Sequence, residues 1–71
     1  MQQTKIQKLG QMARKARKEQ GLTQEELSAA SGVGVRFIRE LEQGKESCHI
    51  GKALMVVSML GLDIQIDGKI L

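Results

Sequence analysis

Few side chains in this sequence could carry covalent or metal chemistry. Cys48 and His49 are adjacent, but no second Cys or His exists to complete a zinc site or to close a disulfide. Cys48 therefore reads as a reduced thiol. No Ser-His-Asp set and no HExxH stands out, and Gly32-Val33-Gly34 is too short for a nucleotide loop. No enzyme, metal or cofactor is expected, and so small a chain offers little room for a catalytic cleft. What remains is charge. Lys5, Lys8, Arg14, Lys15, Arg17 and Lys18 crowd the first quarter, where the only acid is Glu19, and the net charge is +3. Such asymmetry suits a polyanion, although a plain solvated basic face gives the same pattern.

These residues need elements to hold them. Seventy-one residues make one small domain whose core must be aliphatic, since the chain has one Phe and no Trp or Tyr. Aromatic platforms for single strands are therefore absent. No apolar run approaches the ~18–20 residues that span a bilayer. The start, Met1-Gln2-Gln3-Thr4-Lys5, has no signal-peptide core, so a soluble cytoplasmic protein is expected.

Ile6, Leu9, Ala13 and Ala16 predict a first helix over residues 3–20, stopped by Gly21. Thr23 with Glu26 three residues on is a capping box for a second helix over 24–31, ended by Gly32. A third helix is expected over 35–43, with Ile38, Leu41 and the edge residue Glu42 inward and Gly44 as its stop. A fourth spans 50–60 and has two apolar faces: Ile50, Ala53, Leu54, Val57 and Leu60 on one, Met55, Val56 and Met59 on the other. Leu62-Asp63-Ile64-Gln65-Ile66 alternates as a strand does. Asp67-Gly68 is a hairpin turn across which Lys69-Ile70-Leu71 could pair, unless the end frays. A lone strand needs a neighbour. The simplest is the same segment of a second subunit, with Met55, Val56, Met59, Leu62, Ile64 and Ile66 as the dimer interface.

The break between the second and third helices is the most specific feature. So short a turn forces a steep crossing, which needs a small residue at Ser28, a glycine at Gly32, and Leu27, Val33, Ile38 and Leu41 to lock the pair. That is the helix-turn-helix pattern. Leu22-Thr23-Gln24-Glu25-Glu26-Leu27, then Gly32-Val33 and Leu41-Glu42-Gln43-Gly44-Lys45, resembles the Cro/lambdoid-repressor (XRE) family. The residues from Val35 to Lys45 with the ending Met59-Leu60-Gly61-Leu62-Asp63-Ile64-Gln65-Ile66 are similar, more narrowly, to small HipB-type antitoxin regulators. Gly51 departs from that group, which more often has an acidic residue there, and the Asp67-Gly68 tail lies outside the resemblance.

The resemblance implies an all-α, four-helix lambda-repressor-like domain with a C-terminal strand that pairs across a dimer. Residues 1–61 would bind DNA, through a helix-turn-helix over 23–43, and residues 62–71 would dimerise. The third helix would enter the major groove. Val35, Arg36, Arg39 and Glu40 would read bases: Arg36 as a bidentate donor to guanine O6 and N7, Arg39 in the same way or on phosphate, Glu40 accepting from cytosine N4, Val35 on a thymine methyl. Thr23, Gln24, Gln43 and Lys45 would hold phosphates, although Thr23 is also explained as an N-cap. Arg17 and Glu42 match an Arg–Glu pair that joins helices in the family. Phe37 is either half-buried packing or an exposed contact.

The function implied is a homodimeric, sequence-specific repressor of double-stranded DNA with an inverted-repeat operator, acting as the antitoxin of a HipA-like kinase toxin. The alternative is a stand-alone XRE-type or prophage repressor.

Overall fold

Thr4 sets where the chain first turns helical. Its hydroxyl accepts the Gln7 amide N–H at 3.1 Å while the Gln7 side-chain oxygen accepts the Thr4 N–H at 3.0 Å. This capping box starts α1 at Lys5 (Lys5–Glu19), two residues later than periodicity alone placed it. In the computed structural model, which describes residues 3–71, three more helices follow: α2 (Gln24–Ser31), α3 (Val35–Glu42) and α4 (Ile50–Met59). Met1 and Gln2, part of the start examined for a leader, lie outside the described residues. Among those described, no helix is long and apolar enough to cross a membrane.

Helix α1 packs across α3, and α2 packs against both α3 and α4. Leu27, Ile38, Leu41 and Val56 are fully buried where these helices meet, joined by Ala13, Val33, Ala53 and Leu60. Each large aliphatic side chain buried there stabilises the fold by about 1.5–3 kcal/mol. Phe37 is half-buried against this cluster, with the Lys52 ammonium 6.0 Å from its ring centre. Gly10 is a contact that periodicity does not reveal. It is buried at the α1–α3 crossing, where a Cβ would run into the Leu41 carbonyl oxygen.

Two expectations for α4 are corrected. Val56, assigned to a dimer face, is 0% exposed and belongs to the core, whereas Ile50, assigned inward, is 64% exposed. The buried stripe is Ala53, Val56, Val57 and Leu60, spaced i, i+3, i+4, i+7. Ile50 opens the helix almost a turn before that stripe begins. With apolar residues on both sides, helical spacing fitted either rotation, and packing against α2 selected this one. Met55 and Met59 remain half-exposed, at 53% and 51%.

The C-terminal segment forms an antiparallel hairpin of β1 (Gln65–Ile66) and β2 (Lys69–Ile70), with Gln65 opposite Ile70 and Ile66 opposite Lys69. Asp67 and Gly68 both take positive φ, 52° and 79°, as a tight two-residue hairpin turn requires. The Leu71 N–H closes on the Ile64 carbonyl at 2.9 Å. The strand is thus shorter than residues 62–66 and finds its first partner within its own chain. The fold is four helices with a short C-terminal hairpin.

Candidate nucleic-acid interface

The turn between α2 and α3 is built from backbone groups satisfied by two serines. Ser28 donates its hydroxyl to the Val33 carbonyl at 2.6 Å, and Ser31 accepts the Val33 N–H at 3.2 Å. Gly32 bends the chain there with φ 74°. Ser28 therefore does more than keep a crossing open, and the role of Ser31 had no signal in residue spacing. The result fixes α3 with Ile38 and Leu41 buried and with Arg36, Arg39 and Gln43 exposed.

A buried ion pair anchors α3 to α1. Arg17 donates from Nε to Glu42 Oε2 at 2.7 Å and from Nη2 to Oε1 at 3.0 Å, while its Nη1 reaches the Leu22 carbonyl at 2.8 Å. The Glu42 hydrogen bond, working against desolvation, raises the Arg17 pKa above its ordinary value. Gln24, expected on phosphate, donates its Nε2 to Glu42 Oε1 at 3.1 Å. The pair therefore also orients the first residue of α2.

On the outer face of α3, Glu40 sits between two cations. Arg36 Nε lies 3.3 Å from Glu40 Oε1 and Lys45 Nζ lies 3.4 Å from the same oxygen. Partial desolvation pushes the Glu40 carboxyl up, but Lys45 and Arg36 outweigh it and leave the group below the ordinary carboxylate value. The structure so joins Arg36, Glu40 and Lys45, with Val35 half-buried at the helix start. Arg39 and Gln43 lie one row over, near Arg14 and Gln24.

Thr23 caps α2: its hydroxyl accepts the Glu26 N–H at 3.0 Å and its own N–H donates to Glu26 Oε1 at 2.9 Å. The Thr23 backbone N–H and hydroxyl hold the Glu26 carboxyl below its usual range. His49 caps α4 by accepting the Lys52 N–H on Nδ1 at 3.3 Å. A Cβ at Gly51 would stand 3.1 Å from the His49 ring, so glycine leaves that ring its place. Gln20 was also missed: its amide donates to the Leu60 carbonyl at 2.8 Å, tying the end of α1 to the end of α4.

The arrangement offers an exposed helix armed with two arginines, held rigidly from behind and flanked by polar groups at the start of α2 and the end of α3. It has donors suited to base edges and phosphate oxygens. Comparisons with known proteins bear on the family. The uncharacterized HTH-type transcriptional regulator y4mF of Sinorhizobium fredii is 50% identical over 58 residues, covering 82% of this chain and 76% of that protein. The restriction-modification controller protein C.AhdI of Aeromonas hydrophila superposes with a TM-score of 0.71 at 28% identity, over 82% of this chain and 88% of that one. A chain of the HipA-HipB-O2-O3 complex gives a TM-score of 0.80 at 18% identity, over 93% of each chain, a likeness of fold. Residues 14–66 match the HTH_3 helix-turn-helix family. With the turn, both flanking helices and the match in place, the chain belongs to the helix-turn-helix family of XRE-type, DNA-binding transcriptional regulators.

Proposed function

We propose that this regulator is a sequence-specific repressor that binds an inverted-repeat operator in double-stranded DNA as a homodimer. The observation that carries this reading is the split of α3: Ile38 and Leu41 are fully buried, while the Arg36 side chain is 88% exposed at the other side of the same helix. Residues 1–61 serve as the DNA-binding unit and residues 62–71 as the dimerising tail. Arg36 reads guanine, Val35 meets a thymine methyl, and Glu40 accepts from cytosine N4 while it restrains Arg36. Thr23, Gln24, Gln43 and Lys45 hold the strands. Met55, Met59, Leu62, Ile64 and Ile66 supply the dimer surface, supported by the exposure of both methionines and of Ile66. The free edges of the hairpin can still pair with a second copy.

Selection of bound sites from random duplex DNA tests this reading. Paired half-sites with centres ~34 Å apart are expected. Arg36→Ala should lose about 1–3 kcal/mol of discrimination against wrong bases. Equal loss on selected and scrambled duplexes would overturn the base-reading role.

The proposed protein partner is a HipA-like kinase toxin, with repression serving autoregulation. Its support is the likeness of this fold to a chain of the HipA-HipB-O2-O3 complex over 93% of the length. The alternative, a repressor without a toxin, is favoured if no kinase-like protein is encoded beside it or if the two do not co-purify.

A further inference from the structure

The exposed face of α3 divides into two rows of side chains. Arg36 and Glu40, one turn apart, form one row, closed by their own ion pair and by Lys45. Arg39 and Gln43 form the other, also one turn apart. With Arg14 of α1, Gln24 of α2 and Glu42, this second row lines a cleft of about 280 Å³ where three helices meet.

The charges in that cleft do not balance. Glu42 brings one carboxylate, but Arg17 binds both of its oxygens and Gln24 shares Oε1, so its charge is already neutralised. Arg14 and Arg39 are both exposed, and neither forms an ion pair among the described residues. Lys15 faces Glu19 at 3.9 Å and Arg36 faces Glu40 at 3.3 Å, while Lys8 and Lys18, which also form no ion pair among the described residues, do not line the cleft. Arg14 and Arg39 thus put two cations without an ion-pair partner on one small polar cleft, an arrangement that an anion would complete. Their planar forks suit the oxygens of a phosphate, the anionic group of DNA.

We propose that this cleft seats one backbone phosphate, with Arg14 and Arg39 as its charged ligands and Gln24 and Gln43 as neutral ones. The inference rests on the repressor reading above and deepens it. It makes Arg14 a specific contact and not part of a diffuse basic surface, and it moves Arg39 from the base edges to the strand. Gln24 fits because a carboxylate only accepts. Its amide nitrogen must therefore face Glu42, and the second N–H of that nitrogen is left to donate.

Binding of the full chain to its selected duplex and to a scrambled one, measured across salt, tests the proposal. Arg14→Gln and Arg39→Gln should each reduce the slope of log affinity against log salt by about 1. The gap to wild type should then change about 3.5-fold between about 50 and about 200 mM salt. The loss should be equal on both duplexes, and Lys15→Gln should leave the slope unchanged. One neutral methylphosphonate linkage per half-site should weaken the wild type and leave Arg14→Gln no weaker than before. Far-ultraviolet circular dichroism of the variants confirms that these exposed substitutions leave the helices formed. A slope for Arg14→Gln equal to that of Lys15→Gln, or a loss of base preference in Arg39→Gln, overturns the cleft. Absence of any salt-dependent duplex binding by the wild type overturns the repressor reading itself.

Discussion

Arg17 and Glu42, twenty-five positions apart in sequence, face each other through two hydrogen bonds with side chains only 9% and 4% exposed. Removing one partner strands the other charge in a poorly solvated site, at a cost of about 3–5 kcal/mol. Arg17→Met or Glu42→Leu alone should lower the urea midpoint sharply. The double variant should recover much of the loss, because two apolar groups leave no unpaired charge. Urea titration of the three variants checks this ordering.

Glu40 offers a second test on the DNA-facing side. It restrains both Arg36 and Lys45, and as an anion it opposes phosphate. Glu40→Gln should tighten binding to scrambled duplex and shrink the ratio of selected to scrambled affinity. Gel-shift titrations on the two duplexes read that ratio directly; a ratio that rises would contradict the restraint.

The capping box of α2 predicts a pH dependence. The Glu26 carboxyl is held below its ordinary value in the folded chain. Its contribution to stability is therefore complete above the ordinary carboxylate pKa and is lost as pH falls through the lower, folded value. The fall in stability between neutral pH and the acid range should be smaller in Glu26→Gln than in the wild type. Thr23→Ala should cost about 1 kcal/mol at neutral pH. Urea midpoints across that range measure both.

Gly10→Ala should destabilise, although alanine is the better helix former by about 0.8–1.0 kcal/mol. The added methyl would meet the Leu41 carbonyl oxygen, a rigid backbone atom, and overpacking of this kind costs about 1–3 kcal/mol. Thermal unfolding gives the sign.

Substitutions on the two sides of α4 should separate folding from assembly. Met55→Lys with Met59→Lys should yield a folded monomer by sedimentation. Val56→Asp, at a fully buried position, should abolish the fold itself.

Residues with a local partner were legible from sequence. Thr23 and Glu26 are three apart, and Gly32 marks a left-handed stop, so the start and end of α2 followed from spacing alone. The Leu27, Val33, Ile38 and Leu41 set carried the crossing. Elsewhere the deciding contact was remote or degenerate. The rotation of α4 depended on whether Val56 or Ile50 met α2, and both rotations satisfied helical spacing. The hairpin depended on whether Ile64 found Leu71 or a second chain, which composition could not rank. Arg14 and Arg17 lie in the same helix, and it was the resemblance, through its Arg17–Glu42 pair, that set the buried cation apart from the exposed one.

Helix α1 and the residue that caps its end touch three different regions in successive turns. Arg14 reaches the cleft, Arg17 the interhelical ion pair, and Gln20 the carbonyl that ends α4. Six residues of helix are about 9 Å of stiff rod. A strand gripped at one end of that rod would be mechanically joined to the helix that carries Met55 and Met59 at the other. Operator spacing and subunit angle would then be set together, so a change at either end would be felt as torque at the other.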